Sequence, residues 1–202
     1  MSKPIETFRD LANIAYGISL EDIMNTPSQE LEFTFYALLT DIDQLDKLAV
    51  VVEKHEQYEL PIQTEINGRA RLRLINDRRH TMTTKIQRSG TKGWEEVNSD
   101  ISKSLFLHLK EMARPGYFKN RHVIPIPDGS LKWEVDVFYS NDGGYSKWVK
   151  IDLEVPDLDM KIPETPFDIK QFIFADAKEL TAEEERILKW LWNEEWATIS
   201  SK

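Results

Sequence analysis

The feature that most constrains the fold of this chain is an alternation of charged and apolar residues in short segments. In the stretch GRARLRLIND, Arg69, Arg71 and Arg73 alternate with alanine and leucine. Because successive side chains of a β-strand point to opposite faces, this spacing predicts a strand with its arginines on one face. Cations aligned in this way repel one another unless a negative group lies among them. The pattern therefore indicates an anionic partner on that face.

The same alternation recurs in other segments of the chain, namely QELEFTFYALL, TTKIQ, FKNRHVIPI, KWEVDVFY and VKIDLEVP. Each of them has one apolar face and one ionic or polar face. Alternation alone favours an antiparallel sheet with its ionic face in water and its apolar face on helices. The charges, however, repeat by sign within a segment, as in Glu30 and Glu32. Carboxylate pairs ligate Mg²⁺ and arginines bind phosphate oxygens, so a metal–polyphosphate site is the second interpretation.

A sheet that curls into a barrel with its ionic faces inward would form a tunnel for an anion and a metal. The helices would then cover the apolar outside of the barrel. The negative partner of the arginines would be a phosphate chain.

Composition limits the classes of function. The 202 residues favour one globular domain, and the net charge of -9, from 26 basic and 35 acidic residues, argues against broad attraction to nucleic acid or anionic membranes. The chain has no cysteine, which excludes a disulfide framework and a thiolate zinc site. No apolar run approaches membrane-spanning length. We therefore expect a cytoplasmic protein with no membrane partner.

Two helical regions are predicted in the first part of the chain. Apolar residues at helical spacing predict one or two helices in residues 4–25, within an N-terminal extension, residues 1–28. The stretch TDIDQLDKLAVVVEKHEQY is predicted to be an amphipathic helix with Thr40 as its N-cap.

Two further helices are predicted later in the chain. One is capped by Ser99 and runs to about Met112. The other is a C-terminal helix at residues 179–200, which opens with a capping box from Thr181 to Glu184. Between them, the turns PDGS and NDGG predict three strands joined as hairpins, and NDRRH predicts a turn after the arginine strand.

The order of these motifs resembles that of the triphosphate tunnel metalloenzymes, also called the CYTH superfamily. The resemblance runs from about Glu30 to about Phe172 and comprises Glu-x-Glu, Arg-x-Arg, a strand lysine, a further glutamate, Lys-x-Arg, WEVDVF and an acidic pair. It implies an α+β fold, in which an eight-stranded antiparallel β-barrel forms a tunnel with an ionic lumen and is surrounded by helices. Members of the family hydrolyse inorganic triphosphate, thiamine triphosphate or the 5′ end of RNA, and some cyclise ATP.

The resemblance also implies roles for individual residues. Metal ligands for Mg²⁺ or Mn²⁺ are expected at Glu30, Glu32 and Glu154. Substrate-binding residues are expected at Arg71, Arg73, Lys85, Lys119 and Arg121. Catalytic roles are expected for Glu96, Asp136 and Asp152, with Glu95 as the alternative to Glu96.

The chain departs from the family pattern at two motifs. The opening motif of the family is Glu-x-Glu-x-Lys, and Thr34 stands at its lysine position. The closing pair is usually Glu-x-Glu, and here it is Asp152 and Glu154. The second change keeps a carboxylate. The first removes a cation, which predicts slow turnover or a substrate that carries its own cation, such as thiamine triphosphate.

The function expected from the resemblance is metal-dependent hydrolysis of a phosphoanhydride bond in an inorganic or small organic triphosphate. Three alternatives stay open. The first is a polyphosphate- or nucleotide-binding module with weak or no activity, and the second is an RNA 5′-triphosphatase, whose only nucleic-acid contact would be the 5′-triphosphate end. The third is a scaffold with a solvated ionic sheet.

Overall fold

A computed structural model of the protein describes residues 28–61, 67–87, 93–127, 129, 131–139, 144–174 and 180–192. The strands are β1 Ser28–Glu30, β2 Glu32–Leu39, β3 Val51–Leu60, β4 Asn67–Ile75, β5 Arg79–Gln87, β6 Trp94–Asp100, β7 Arg114–Pro125, β8 Lys132–Tyr139, β9 Tyr145–Glu154 and β10 Ile169–Phe174. The helices are α1 Gln44–Leu48, α2 Lys103–Lys110 and α3 Ala182–Trp192. The helices predicted in residues 4–25 lie outside the described residues, as do residues 193–200 of the predicted C-terminal helix.

The strands belong to two compact units. The first unit contains Gln57–Arg114 together with β1, and its strand order is β1-β6-β5-β4-β3. The second contains Leu31–Glu56 and the chain from Pro115 onward, with the order β3-β7-β8-β9-β2-β10. The pairs of strands with an assigned register are antiparallel. An antiparallel sheet with helices was predicted, and it is confirmed; the described sheet has ten strands rather than eight.

The apolar faces of the second unit form its core, as the alternation in the sequence predicts. Phe35 of β2, Ile151 of β9 and Val135 of β8 are successive partners across three strands. Val135, Ile151 and Leu153 are at most 1% exposed. Burial of a side chain of this size contributes about 1.5–3 kcal/mol, so this row is a main source of stability for the unit.

The first unit has a separate core between its strands and α2. Leu72 and Met82 are partners across β4 and β5, and they cluster with Phe106 and Leu109 of the helix. The helix begins at Ser102, whose hydroxyl accepts a hydrogen bond from the Leu105 amide at 3.2 Å. The prediction of Ser99 as the cap was wrong, because Ser99 belongs to β6 and pairs with Met82.

The long amphipathic helix predicted after Thr40 was also wrong. Helix α1 covers Gln44–Leu48 alone, and β3 begins at Val51. Three successive valines stand at positions 50–52. Their branched side chains lose rotamer freedom in a helix and suit a strand, which explains the change of structure here.

Two local predictions are confirmed. Asn76 and Asp77 have φ angles of 51° and 57°, the left-handed conformation that a tight hairpin turn requires, and they join β4 to β5. At the start of α3, the Thr181 amide donates to the Glu184 carboxylate at 2.8 Å and the Glu184 amide donates to the Thr181 hydroxyl at 3.2 Å. This reciprocal pair is the predicted capping box. Across the described ranges, no helix is both long and apolar enough to span a membrane.

Candidate functional site

The polar face of β7, β8, β9 and β2 in the second unit is ionic and buried. Across these strands, Arg121 pairs with Asp136, Asp136 with Lys150, and Asp152 with Thr34. Asp136 is fully buried and Asp152 is 4% exposed. A solvated ionic sheet would leave these carboxylates in water, so the simpler interpretation of the alternation does not hold for this face. We call Lys119, Arg121, Glu134, Asp136, Lys150 and Asp152 the carboxylate cluster.

Asp136 lies at the centre of the carboxylate cluster between two cations. Lys119 Nζ lies 2.5 Å from Asp136 Oδ2. Arg121 binds the same carboxylate in bidentate fashion, with Nε at 2.8 Å from Oδ1 and Nη2 at 2.8 Å from Oδ2. Burial alone would raise the pKa of Asp136, but the charges of Arg121 and Lys119 outweigh it and hold this pKa well below its usual range. Asp136 is therefore ionised at neutral pH and fixes the position of both cations.

Arg121 connects three carboxylates. Besides Asp136, its Nη1 donates to Glu134, and its Nη2 lies 3.7 Å from Asp152 Oδ2. Burial lowers the pKa of Arg121, and the neighbouring carboxylates raise it by more, so the group stays charged. A guanidinium has five N–H donors, and three of them are engaged by hydrogen bonds within the described residues.

Asp152 is held from both sides by neighbours on its own face. The Thr34 hydroxyl donates to Asp152 Oδ1 at 2.8 Å from the adjacent strand. Lys150 Nζ lies 2.6 Å from Oδ1 and 2.5 Å from Oδ2 of the same carboxylate. Burial raises the pKa of Asp152, but the charges of Lys150 and Arg121 lower this pKa by a larger amount. This carboxylate is therefore also ionised.

Sequence reasoning assigned no role to Glu134, Lys132 or Lys150. Glu134 accepts hydrogen bonds from Arg121 and from Lys132, the latter at 2.6 Å. Burial raises the pKa of Glu134, while Arg121 and Lys132 lower it to below its ordinary value. The signal was present in KWEVDVFY and VKIDLEVP, because these residues share the ionic face of their strands with Asp136 and Asp152.

Glu32 and Glu154 are direct partners across β2 and β9. Like charges directly opposite one another are destabilising, so the pair is suited to a cation between or beside its carboxylates. Lys150 attracts Glu32, and Lys132 attracts Glu154. Mg²⁺ commonly takes one or two protein carboxylates and completes its shell with water and substrate phosphates. The pair fits that donor set, although the described residues contain no group of three or more acidic or histidine side chains arranged for a metal.

The three arginines of GRARLRLIND lie on β4 of the first unit, and their side chains contact several polar and aromatic groups. Arg73 is 9% exposed and donates to Gln57 at 3.1 Å and to Thr83 at 3.2 Å. Arg71 forms an ion pair with Glu59 at 3.3 Å. The guanidinium carbon of Arg69 lies 4.6 Å from the centre of a Trp94 ring. Contacts of the three cations thus include a carboxylate, an amide oxygen, a hydroxyl and an aromatic ring. We call this group the arginine cluster.

Lys85 lies on β5 of the first unit and contacts two carboxylates. Its ammonium contacts Glu30 of β1 and lies 3.0 Å from Glu96 Oε2 of β6. Glu96 is the strand partner of Lys85, whereas Glu95 is the partner of Ile86. Of the two glutamates left open by the sequence, Glu96 therefore lies beside the predicted lysine. Glu30 belongs to the first unit, and the other two predicted metal ligands belong to the second.

A scan against protein-family models found no match, and neither did a search of curated proteins. Solved structures do resemble the chain. The inorganic triphosphatase NE1496 aligns with a TM-score of 0.45 and 20% identity, over 74% of this chain and 89% of its own. The PH1819 protein from Pyrococcus horikoshii aligns with a TM-score of 0.42 and 17% identity, over 63% and 80%. A candidate adenylate cyclase from Bacillus halodurans aligns with a TM-score of 0.39 and 13% identity, over 64% and 82%. With TM-scores this low, no residue role passes from these proteins to this chain.

Proposed function

We propose that this protein is a metal-dependent hydrolase of a triphosphate-containing small molecule. The expected bond broken is a phosphoanhydride. The carboxylate cluster of the second unit supplies binding groups, and phosphate binding by Arg71 and Arg73 of the first unit is proposed from the sequence pattern. Closure of the sheet into a barrel with an ionic lumen is part of the same proposal.

The observation that carries the proposal is the burial of the carboxylate cluster. Asp136, Asp152 and Lys119 are at most 4% exposed. Taking charges out of water costs several kcal/mol for each ion, and well-packed apolar residues often replace a buried ion pair without loss of stability. A buried ionic network is therefore better explained by binding of a charged ligand than by stability alone.

Phosphoryl transfer demands positioning and charge neutralisation, and it demands little covalent chemistry from the protein. In the proposed mechanism Arg121 and Lys119 bind phosphate oxygens, and Asp136 holds both cations in place. Asp152 holds Lys150 in the same way, and in the first unit Glu96 holds Lys85. The predicted catalytic carboxylates thus act by orienting cations. Water attacks the terminal phosphoryl group, the phosphoanhydride bond breaks, and the remaining phosphate chain leaves.

A bound Mg²⁺ or Mn²⁺ would neutralise phosphate charge and polarise the phosphoryl group. Glu32 and Glu154 are the residues that would hold it, because they are opposed across two strands and carry hard oxygen donors. Glu30 remains a further predicted ligand.

The test is phosphate release from a substrate panel with and without Mg²⁺ or Mn²⁺. The panel contains tripolyphosphate, thiamine triphosphate, nucleoside triphosphates and 5′-triphosphorylated RNA. Metal-dependent release from a small triphosphate is the expected result. Phosphate release from RNA alone would favour the RNA 5′-triphosphatase alternative. No phosphate release from any substrate would contradict the proposal that the protein is a hydrolase.

A binding module is the second candidate, and the position of Thr34 is what favours it. The hydroxyl of Thr34 is directed to Asp152 and places no cation on this part of β2. A protein of this kind would gain thermal stability from tripolyphosphate, because a ligand that binds only the folded state raises its stability. Thermal shift without turnover would identify it.

A further inference from the structure

Resting on the proposed function, we infer that Lys150 is a phosphate-binding residue of the triphosphate site, with Thr34 as the residue that positions its carboxylate partner. Neither residue was assigned this role from the sequence. The inference comes from the contacts of Lys150 on the ionic face of β9.

The ammonium of Lys150 is anchored but not saturated. It lies 2.6 and 2.5 Å from the two oxygens of Asp152, which engage two of its three N–H donors within the described residues. Its side chain is 26% exposed, whereas that of Asp152 is 6% exposed. The ammonium therefore keeps one N–H donor for an anion, on a side chain that is more exposed than the carboxylate that orients it.

Thr34 restricts the orientation of the Asp152 carboxylate. Its hydroxyl donates to Asp152 Oδ1 at 2.8 Å, from the position directly opposite on β2. The hydroxyl and the ammonium bind one carboxylate from two strands, so Asp152 can rotate little. A fixed carboxylate keeps Lys150 in one place before the ligand arrives, and such preorganisation favours binding.

Carboxylates of the same unit attract the ammonium of Lys150. Burial alone would lower the pKa of Lys150, but Asp152, Glu32 and Asp136 raise it above its ordinary value. Lys150 is therefore charged at neutral pH. Glu32, one of the carboxylates that attract Lys150, is the strand partner of Glu154.

The experiment compares Lys150→Met with Lys147→Met, a matched control at an exposed lysine of the same strand. Tripolyphosphate binding is measured by calorimetry with Mg²⁺ present. We expect Lys150→Met to bind roughly tenfold to hundredfold more weakly, which corresponds to one lost charge-assisted hydrogen bond, and Lys147→Met to bind as the native protein does. Lys150→Arg keeps the charge and should restore part of the affinity.

Native binding by Lys150→Met would overturn the inference and leave the proposed function intact. If the native protein itself fails to bind tripolyphosphate, the proposed function fails, and the inference fails with it. Should Lys150→Met not fold, acetylation of the native protein tests the same contact. Tripolyphosphate and Mg²⁺ should slow acetylation at Lys150 and leave Lys147 unchanged, and equal rates at Lys150 with and without ligand would overturn the inference.

Discussion

Thr34 donates its hydroxyl hydrogen to Asp152 across two neighbouring strands, at 2.8 Å. A lysine at this position would direct a second ammonium toward the carboxylate that already binds Lys150. We therefore predict that Thr34→Lys lowers tripolyphosphate turnover, because the two ammonium groups repel each other. Thr34→Val should lower it by about fivefold through loss of one hydrogen bond, and Thr34→Ser should keep it. Phosphate release with Mg²⁺ measures all three variants. A faster Thr34→Lys protein would mean that Lys150 supplies no cation there.

Asp136 gives stability a predictable dependence on pH. Its pKa in the folded protein is lowered, so its stabilising contribution is complete above the unfolded value of about 4 and is lost as pH falls through the lower folded value. Asp136→Asn should reduce the free energy of unfolding at neutral pH by about 3–5 kcal/mol, because it removes the charge that balances Lys119 and Arg121. Urea unfolding from neutral to acidic pH measures both effects.

The control for this prediction is Asp159→Asn, at an exposed aspartate of the same unit. It should unfold as the native protein does at every pH. If Asp136→Asn is as stable as Asp159→Asn at neutral pH, the Asp136 network does not stabilise the fold.

Arg71→Ala is predicted to weaken tripolyphosphate binding while the protein stays folded. Its ion pair with Glu59 is partly exposed and contributes little to stability, and its removal also relieves repulsion within the arginine cluster. Arg79→Ala is the matched control, because Arg79 pairs with Asp100 and both side chains are more than half exposed. Calorimetric titration with tripolyphosphate should separate the two variants. Equal affinities would remove Arg71 from the binding site.

Glu32→Gln and Glu154→Gln are each predicted to abolish metal-dependent turnover, since glutamine keeps the shape and loses the charge that a hard dication needs. Added Mg²⁺ should raise the melting temperature of the native protein more than that of the variants. Glu164→Gln, at an exposed glutamate, should behave as the native protein. Full activity of both variants at saturating Mg²⁺ would exclude these residues as ligands.

The sequence predicted the faces of the strands well because a period of two is a local property. The pairing of Arg121 with Asp136 follows from such alternation once two strands are adjacent. The strand at Val51 could not be predicted in the same way, because its apolar residues also fit a helical face and the preceding residues favour a helix start. The proposed role of Lys150 was not predicted, because it depends on the contact between Thr34 and Asp152. Strand pairing creates that contact, and the sequence alone does not show which strands pair.

Strand β8 has six successive buried residues, Trp133–Phe138. Trp133, Val135 and Val137 lie in a hydrophobic core, and Glu134 and Asp136 lie in the carboxylate cluster. A strand with one face in water can change half of its residues at little cost. Strand β8 has no face in water. A smaller residue on its apolar side would leave a cavity, and loss of an acidic residue on its ionic side would leave an unbalanced charge. In a saturation mutagenesis library we would expect an uninterrupted intolerant block here, rather than the every-other-residue tolerance of an ordinary surface strand.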